Sequence, residues 1–105
     1  MMIYHLTLPT DQDAETFVRF IEAEYFPAVH KGATRIGQVT GLELLQGNTT
    51  SITHEFYLQV TGLMAGHAPR LKNAAVQKKF ESFGVRLEPV GEYAPVALWR
   101  KDANS

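Results

Sequence analysis

Residues 52–61 read Ile52-Thr53-His54-Glu55-Phe56-Tyr57-Leu58-Gln59-Val60-Thr61, and this alternation of apolar and polar side chains decides the fold. Successive side chains of a β-strand point to opposite faces of a sheet, so the pattern predicts a strand with one buried and one open face. A second strand is predicted from Val39 to Gln46, and the turn residues Gly47-Asn48-Thr49-Thr50 join the two strands into a hairpin. The sequence therefore predicts an antiparallel sheet around this hairpin.

The N-terminal part of the chain predicts a strand followed by a helix. Ile3 to Leu8 alternates, and Pro9 is expected to end that strand because proline cannot continue a central ladder. The helix is predicted from an apolar stripe with helical spacing, formed by Phe17, Ile21 and Tyr25. Pro27 is expected to kink or end this helix, and Gly32 to stop it finally.

The C-terminal part predicts a second helix and two short strands. Gly62 to Leu71 is expected to be a loop. The second helix has an apolar stripe closed by a glycine in the favoured C-terminal position, namely Val76, Phe80, Phe83 and Gly84. Val85 to Glu88 and Ala94 to Lys101 are predicted as strands. The order β-α-β-β-α-β with an extra C-terminal strand predicts an α+β fold of the ferredoxin-like type, with both helices on one sheet face.

Composition limits the classes of function. The 105 residues fit one domain spanning 1–105, and 45% hydrophobic residues predict a packed core. The net charge of −1 argues against an electrostatically driven nucleic-acid binder. The chain has no cysteine, which fits a cytoplasmic protein, and it shows no signal peptide or membrane-length apolar run. His30, His54 and His67 share no metal-ligand spacing with an acid, so no metal is expected. The sequence has no Walker loop or dinucleotide fingerprint, and no cofactor is expected.

Strand alternation collects a set of polar and aromatic side chains on the sheet face away from the helices. These are His5, Thr7, Glu43, Glu55, Tyr57, Gln59 and Trp99. Val39 and Leu45 are expected on the same face. Aromatic residues with polar ends prefer a partly dry setting, and pockets are usually lined by aromatics with a few polar groups. The set predicts a ligand chamber, completed by a second copy of the chain that covers the apolar face.

Three functions are compatible with this face. In an enzyme, His5 with Glu55 or Tyr57 would be the catalytic group, because histidine transfers protons near neutral pH. Thr7, Glu43, Gln59 and Trp99 would then bind the ligand. A non-catalytic binding protein would use the same residues only to hold an intermediate. In a pure interaction subunit, the face would be a dimer seam, and a single strand histidine is more often structural than catalytic.

The chain resembles the dimeric α+β barrel superfamily, in which two ferredoxin-like sheets pack face to face around a small-molecule cavity. Many members have His-x-Pro near the end of the first helix, whereas this chain has Tyr25-Phe26-Pro27. The histidine that some relatives use in catalysis is therefore not carried over.

Within that superfamily the chain is most similar to the REDY-like family of prodigiosin-type tripyrrole pigment biosynthesis. The similarity covers almost the whole chain and rests on residues 3–9, 24–30, 73–84 and 94–99. It implies a homodimer that binds a small aromatic or pyrrolic molecule and takes part in pigment assembly, but it implies no particular catalytic residues.

Overall fold

The structure is a computed structural model and describes residues 1–33, 39–49, 53–62, 71–99 and 101. Within these ranges the chain forms a four-stranded antiparallel sheet and two helical segments, the first of which is interrupted by a π-helical turn. The elements are β1 (Met2–Pro9), α1 (Ala14–Phe20), a π-helical turn (Ile21–Tyr25), α2 (Phe26–Ala33), β2 (Gly41–Thr49), β3 (Thr53–Thr61), α3 (Ala74–Ser82) and β4 (Arg86–Glu92). This α+β architecture is compatible with a ferredoxin-like fold.

The sheet has the strand order β2-β3-β1-β4, so β1 and β3 are its inner strands. Both pairs that involve β1 are antiparallel, as is the β2–β3 hairpin. The alternating apolar residues of the two inner strands are buried on the helix side, as predicted, and are Tyr4, Leu6, Leu8, Phe56, Leu58 and Val60. Their partners across the core are the predicted helix stripes, from which Phe17, Ile21, Tyr25, Phe80 and Phe83 are buried.

Pro27 does not end the first helix, because the turn before it is wider than an α-turn. The Phe26 N–H donates to the Ile21 carbonyl, five residues back, in the π-helical turn. Proline has no N–H to donate, so one hydrogen bond of the helix is missing at Pro27. The wider π-turn before it is compatible with a helix that continues past this missing bond. The helix therefore continues through α2 to Ala33.

Gly84 ends α3 as predicted. Its N–H donates to the Glu81 carbonyl at 3.0 Å, and its φ of +69° lies in the left-handed region that glycine adopts at no steric cost. At the other end of α3, the Asn73 side chain accepts a hydrogen bond from the Val76 N–H at 3.2 Å. Both helix ends are thus specified by local chemistry.

Three strand boundaries differ from the predictions. The predicted turn residues Gly47 to Thr49 belong to β2, because a register shift between Gln46 and Thr49 lets the strand continue past the glycine. Val39 lies before β2 and is 7% exposed in the core, so strand alternation misplaced it on the open face. Pro89 lies inside β4 because β4 is an edge strand, where a missing N–H costs no ladder hydrogen bond if it faces outward.

The extra C-terminal strand predicted for 94–101 is not confirmed in this single chain. Residues 94–99 pair with no strand in the described part of the chain. A strand needs a hydrogen-bonded neighbour, and the chain leaves the sheet at the end of β4 without one. The predicted loop residues 63–70, Ile52 and the turn residue Thr50 lie outside the described residues, and no helix among those described is long and apolar enough to cross a membrane.

Candidate functional site

The site lies on the sheet face opposite the helices, here called the open face. It is centred on β1 and β3, whose antiparallel register places His5 opposite Tyr57 and Thr7 opposite Glu55. Because adjacent residues in each strand alternate between faces, the buried neighbours of these residues fix them on the open side. The hydrophobic core thereby determines which polar groups meet.

Three of the predicted residues converge on one point of this face. The rings of His5 and Tyr57 are stacked, with their centroids 4.9 Å apart and their planes at 27°. The His5 Nε2 atom lies 3.6 Å from the Glu55 Oε1 atom. Tyr57 is 37% exposed, so its ring presents an apolar surface to solvent beside a basic nitrogen and a carboxylate. The predicted catalytic set of His5, Glu55 and Tyr57 is therefore one cluster in space.

The His5 Nε2 atom is buried but makes no hydrogen bond within the described residues. The His5 Nε2 atom is farther from Glu55 Oε1 than the usual hydrogen-bond length of about 3 Å. At this distance the two side chains form an ion pair when the imidazole is protonated. A buried polar atom without a partner is uncommon in proteins and marks a position where a ligand atom or water would be stabilised. The Glu55 carboxylate is close enough to stabilise the charged form of the imidazole.

The β4 side of the cluster holds two charged residues that the sequence reasoning did not single out. Glu88 is opposite His5 and Arg86 is opposite Thr7 in the β1–β4 register. The Arg86 Nε atom lies 3.1 Å from the Glu88 Oε1 atom, so each partly neutralises the other. Strand alternation could have placed Arg86 and Glu88 on the open face, because Leu87 between them lies on the core side.

The predicted ligand-binding residues divide into two groups. Thr7, Glu43 and Gln59 are on the open face, where Glu43 is exposed and lies opposite Gln59 in the β2–β3 register. Leu45, opposite Tyr57, is also on this face and is 38% exposed. Trp99 is not part of this group, because it lies beyond the end of β4 and is 84% exposed. The ligand-binding prediction for Trp99 therefore has no support from the placement of this residue within its own chain.

Tyr25, the first residue of the Tyr25-Phe26-Pro27 stretch, lies on the other side of the sheet. Its ring stacks on Phe80 at 4.9 Å, and the side chain is 1% exposed. Burial raises the pKa of the Tyr25 hydroxyl, and the nearby Tyr4 raises it further. This hydroxyl has no hydrogen-bond partner among the described residues, but the core separates it from the open face.

A metal site and a surface groove are the alternatives to the open face. No group of three or more histidine, aspartate or glutamate residues in the described ranges has a geometry that could hold a metal ion. A shallow groove runs beside α1 and is lined by Ala14, Glu15, Val18, Arg19 and Gln46. Its charged residues Glu15 and Arg19 are 3.7 Å apart and mostly exposed, which is typical of a solvated helix surface.

The open face therefore carries the arrangement that is best suited to chemistry in the described part of the chain. A stacked imidazole and phenol ring lie next to a carboxylate, on a rigid sheet rather than on a loop. Comparison with protein-family models and with curated proteins found no match to this chain.

Proposed function

We propose that the chain acts as a homodimer that binds a planar aromatic or pyrrolic molecule against the open face, and that His5 exchanges a proton with that molecule. The observation that carries this proposal is the cluster of His5, Tyr57 and Glu55, in which a buried imidazole nitrogen without a hydrogen bond lies beside an exposed ring. The sequence resemblance to the REDY-like family supports the biosynthesis of a prodigiosin-type tripyrrole pigment as the setting.

Each residue of the cluster has a distinct part in this proposal. Tyr57 offers its ring to a planar ligand, since stacked aromatic pairs gain energy beyond simple burial. His5 Nε2 accepts or donates the proton, and the Glu55 carboxylate stabilises the imidazolium that forms. Such proton transfer by itself supports an isomerisation or a condensation, whereas an oxidation would also require an external oxidant that takes up the electrons.

The homodimer is proposed because the open face carries large exposed side chains. Leu45 and Tyr57 lie next to each other across β2 and β3 and are each more than a third exposed. Packing two such faces together would cover them and enclose the cluster, about 10 Å being the usual spacing of facing sheets. At that spacing the side chains of two facing sheets fill the gap, so a bound flat ring would replace some of the side-chain contacts next to Tyr57.

Binding is tested by replacing Tyr57 with alanine. Isothermal titration with bipyrrole or indole should give saturable binding to the unaltered protein and none with glucose or adenosine monophosphate. The Tyr57→Ala change should weaken binding by about 1–2 kcal/mol, which combines the loss of a ring pair with the loss of apolar contact. Arg19→Ala, an exposed change on α1 at the other side of the sheet, is the control and should leave binding unaltered. Equal affinity of the Tyr57→Ala protein would show that this ring is not in the site.

The proton-transfer step is tested by replacing His5 with glutamine, which can form hydrogen bonds but cannot exchange a proton near neutral pH. Pigment formation in a producing cell should fall by about 100-fold, the scale of lost acid–base catalysis, while ligand binding persists. Unaltered pigment formation would contradict the enzyme. It would favour the second candidate, a carrier that shelters an aromatic intermediate, which the exposed Tyr57 ring supports equally well.

A further inference from the structure

A second tyrosine ring lies on the open face, and the residue set predicted from the sequence does not contain it. Tyr93 directly follows the last residue of β4 and is 49% exposed. A Cβ atom added to Gly91 would lie 3.3 Å from the Tyr93 Cε2 atom and 3.5 Å from its Cζ atom, so the ring covers the place where Gly91 lacks a side chain. Gly91 pairs with Ile3, whose neighbour Tyr4 faces the core, and that place is therefore on the open side of the sheet.

Contacts on two sides hold the Tyr93 ring in this position. The Tyr93 N–H donates to the Met1 carbonyl at 2.6 Å, and the Met1 ammonium donates to the Tyr93 carbonyl, so the backbone is fixed. Gly91 supports the ring from below, because a larger residue there would occupy the space of the ring. A side chain that is already ordered loses little conformational entropy when a ligand binds, which makes this ring a suitable ligand contact.

The surface between Tyr57 and Tyr93 is a continuous strip that crosses β1. Tyr57 stacks on His5, its partner in the β1–β3 register. Ile3 lies on the same side of β1, two residues before His5, is partly buried and is opposite Gly91. The strip therefore leads from one phenol ring over an imidazole and an aliphatic side chain to a second phenol ring.

The length of this strip determines the size of a ligand that contacts both of its ends. Gly91, which carries the Tyr93 ring, lies two strand spacings and one side-chain row from Tyr57, a separation of about 12 Å. Aromatic rings contact each other at centroid distances of about 4.5–7 Å. A single ring stacked closely on Tyr57 would leave about 7 Å to the Tyr93 ring, the outer limit of such a contact, whereas a second linked ring would fill that gap.

We propose that Tyr93 is the second aromatic contact of the ligand site, and that the site selects ligands with two or more linked planar rings over ligands with one ring. This inference rests on the proposed function, since it extends the same site from Tyr57 and His5 to the C-terminal end of β4. One ring of the ligand lies against Tyr57 beside His5, and the next ring lies over Ile3 against Tyr93. The distance between the two phenol rings thus determines the specificity.

Titrations with pyrrole and with bipyrrole, followed by the imidazole signals of His5 in nuclear magnetic resonance spectra, test the selectivity. The unaltered protein should bind bipyrrole at least about tenfold more tightly than pyrrole, because the second ring gains an aromatic contact. Tyr93→Ala should weaken bipyrrole binding about tenfold and pyrrole binding less than about twofold, whereas Tyr57→Ala should weaken both. Arg19→Ala, an exposed change on α1, is the control and should leave both affinities unaltered.

Gly91→Val tests the position of the ring without removing it. The φ of Gly91 is not positive, so the backbone accepts a side chain there, and valine would displace the Tyr93 ring. This variant should show the same selective loss of bipyrrole binding, with unaltered circular dichroism. Equal affinity for the two ligands, or bipyrrole binding that Tyr57→Ala weakens but Tyr93→Ala and Gly91→Val do not, would overturn the role of Tyr93 alone. Absence of any His5 shift with either ligand would overturn the proposed function and the role of Tyr93 with it.

Discussion

Replacing Leu58 with lysine should lower the free energy of unfolding by more than about 4 kcal/mol, enough to unfold much of the protein. Leu58 is 1% exposed and lies in β3, an inner strand, with β1 and β2 on either side. An ammonium group at this position would lie under the helices without a counter-charge, and the loss of hydration would be uncompensated. Circular dichroism in a urea titration measures the change.

The matched control for Leu58→Lys is the neighbouring residue. Gln59→Lys introduces the same side chain one position along β3, on the open face and opposite Glu43. Opposite charges across a strand pair are slightly favourable, so stability should change by no more than about 0.5 kcal/mol. If both lysines were tolerated, or both destabilised the protein equally, the assignment of the two sheet faces would be wrong.

Replacing Phe17 with alanine should destabilise the fold by about 3–5 kcal/mol, as deletion of a fully buried ring does. Phe17 is 0% exposed, and its ring lies 5.3 Å from the ring of Phe56 in the sheet and 5.3 Å from that of Phe83. It therefore connects α1 to both the sheet and the end of α3, and the cavity left behind would weaken all of these contacts.

The control for Phe17→Ala lies on the same helix. Arg19→Ala removes an exposed side chain whose ion pair with Glu15 is 3.7 Å long, a contact worth about 0.3–0.5 kcal/mol. The two variants should differ clearly in their urea midpoints. A Phe17→Ala midpoint equal to that of Arg19→Ala would mean that this aromatic cluster does not stabilise the protein.

The alternation of β1 and β3 was predictable because each inner strand is buried on one face, and burial imposes a period of two on the sequence. The same alternation brought His5, Glu55 and Tyr57 together, since strands that pair in register place their open-face residues side by side. The helix stripes around Phe17 and Phe80 were predictable for the corresponding reason, a period of 3.6 residues.

The misplaced elements share a physical cause, which is that their positions depend on distant partners. Pro89 predicts the end of a strand unless β4 is known to be an edge strand. Residues 94–99 have the composition of a strand, but a strand exists only where another one lies beside it. The distance between His5 Nε2 and Glu55 could not be predicted either, because spacing along a sequence does not give side-chain rotamers.

The central claim, that the open face binds a planar ring at His5 and Tyr57, is tested most directly by nuclear magnetic resonance with isotope-labelled protein. Titration with bipyrrole should shift the imidazole signals of His5 and the ring signals of Tyr57 in a saturable way. Signals of Val18 and Arg19 in the groove beside α1 should stay in place. Shifts confined to that groove, or none at His5 and Tyr57 at saturating ligand, would contradict the account.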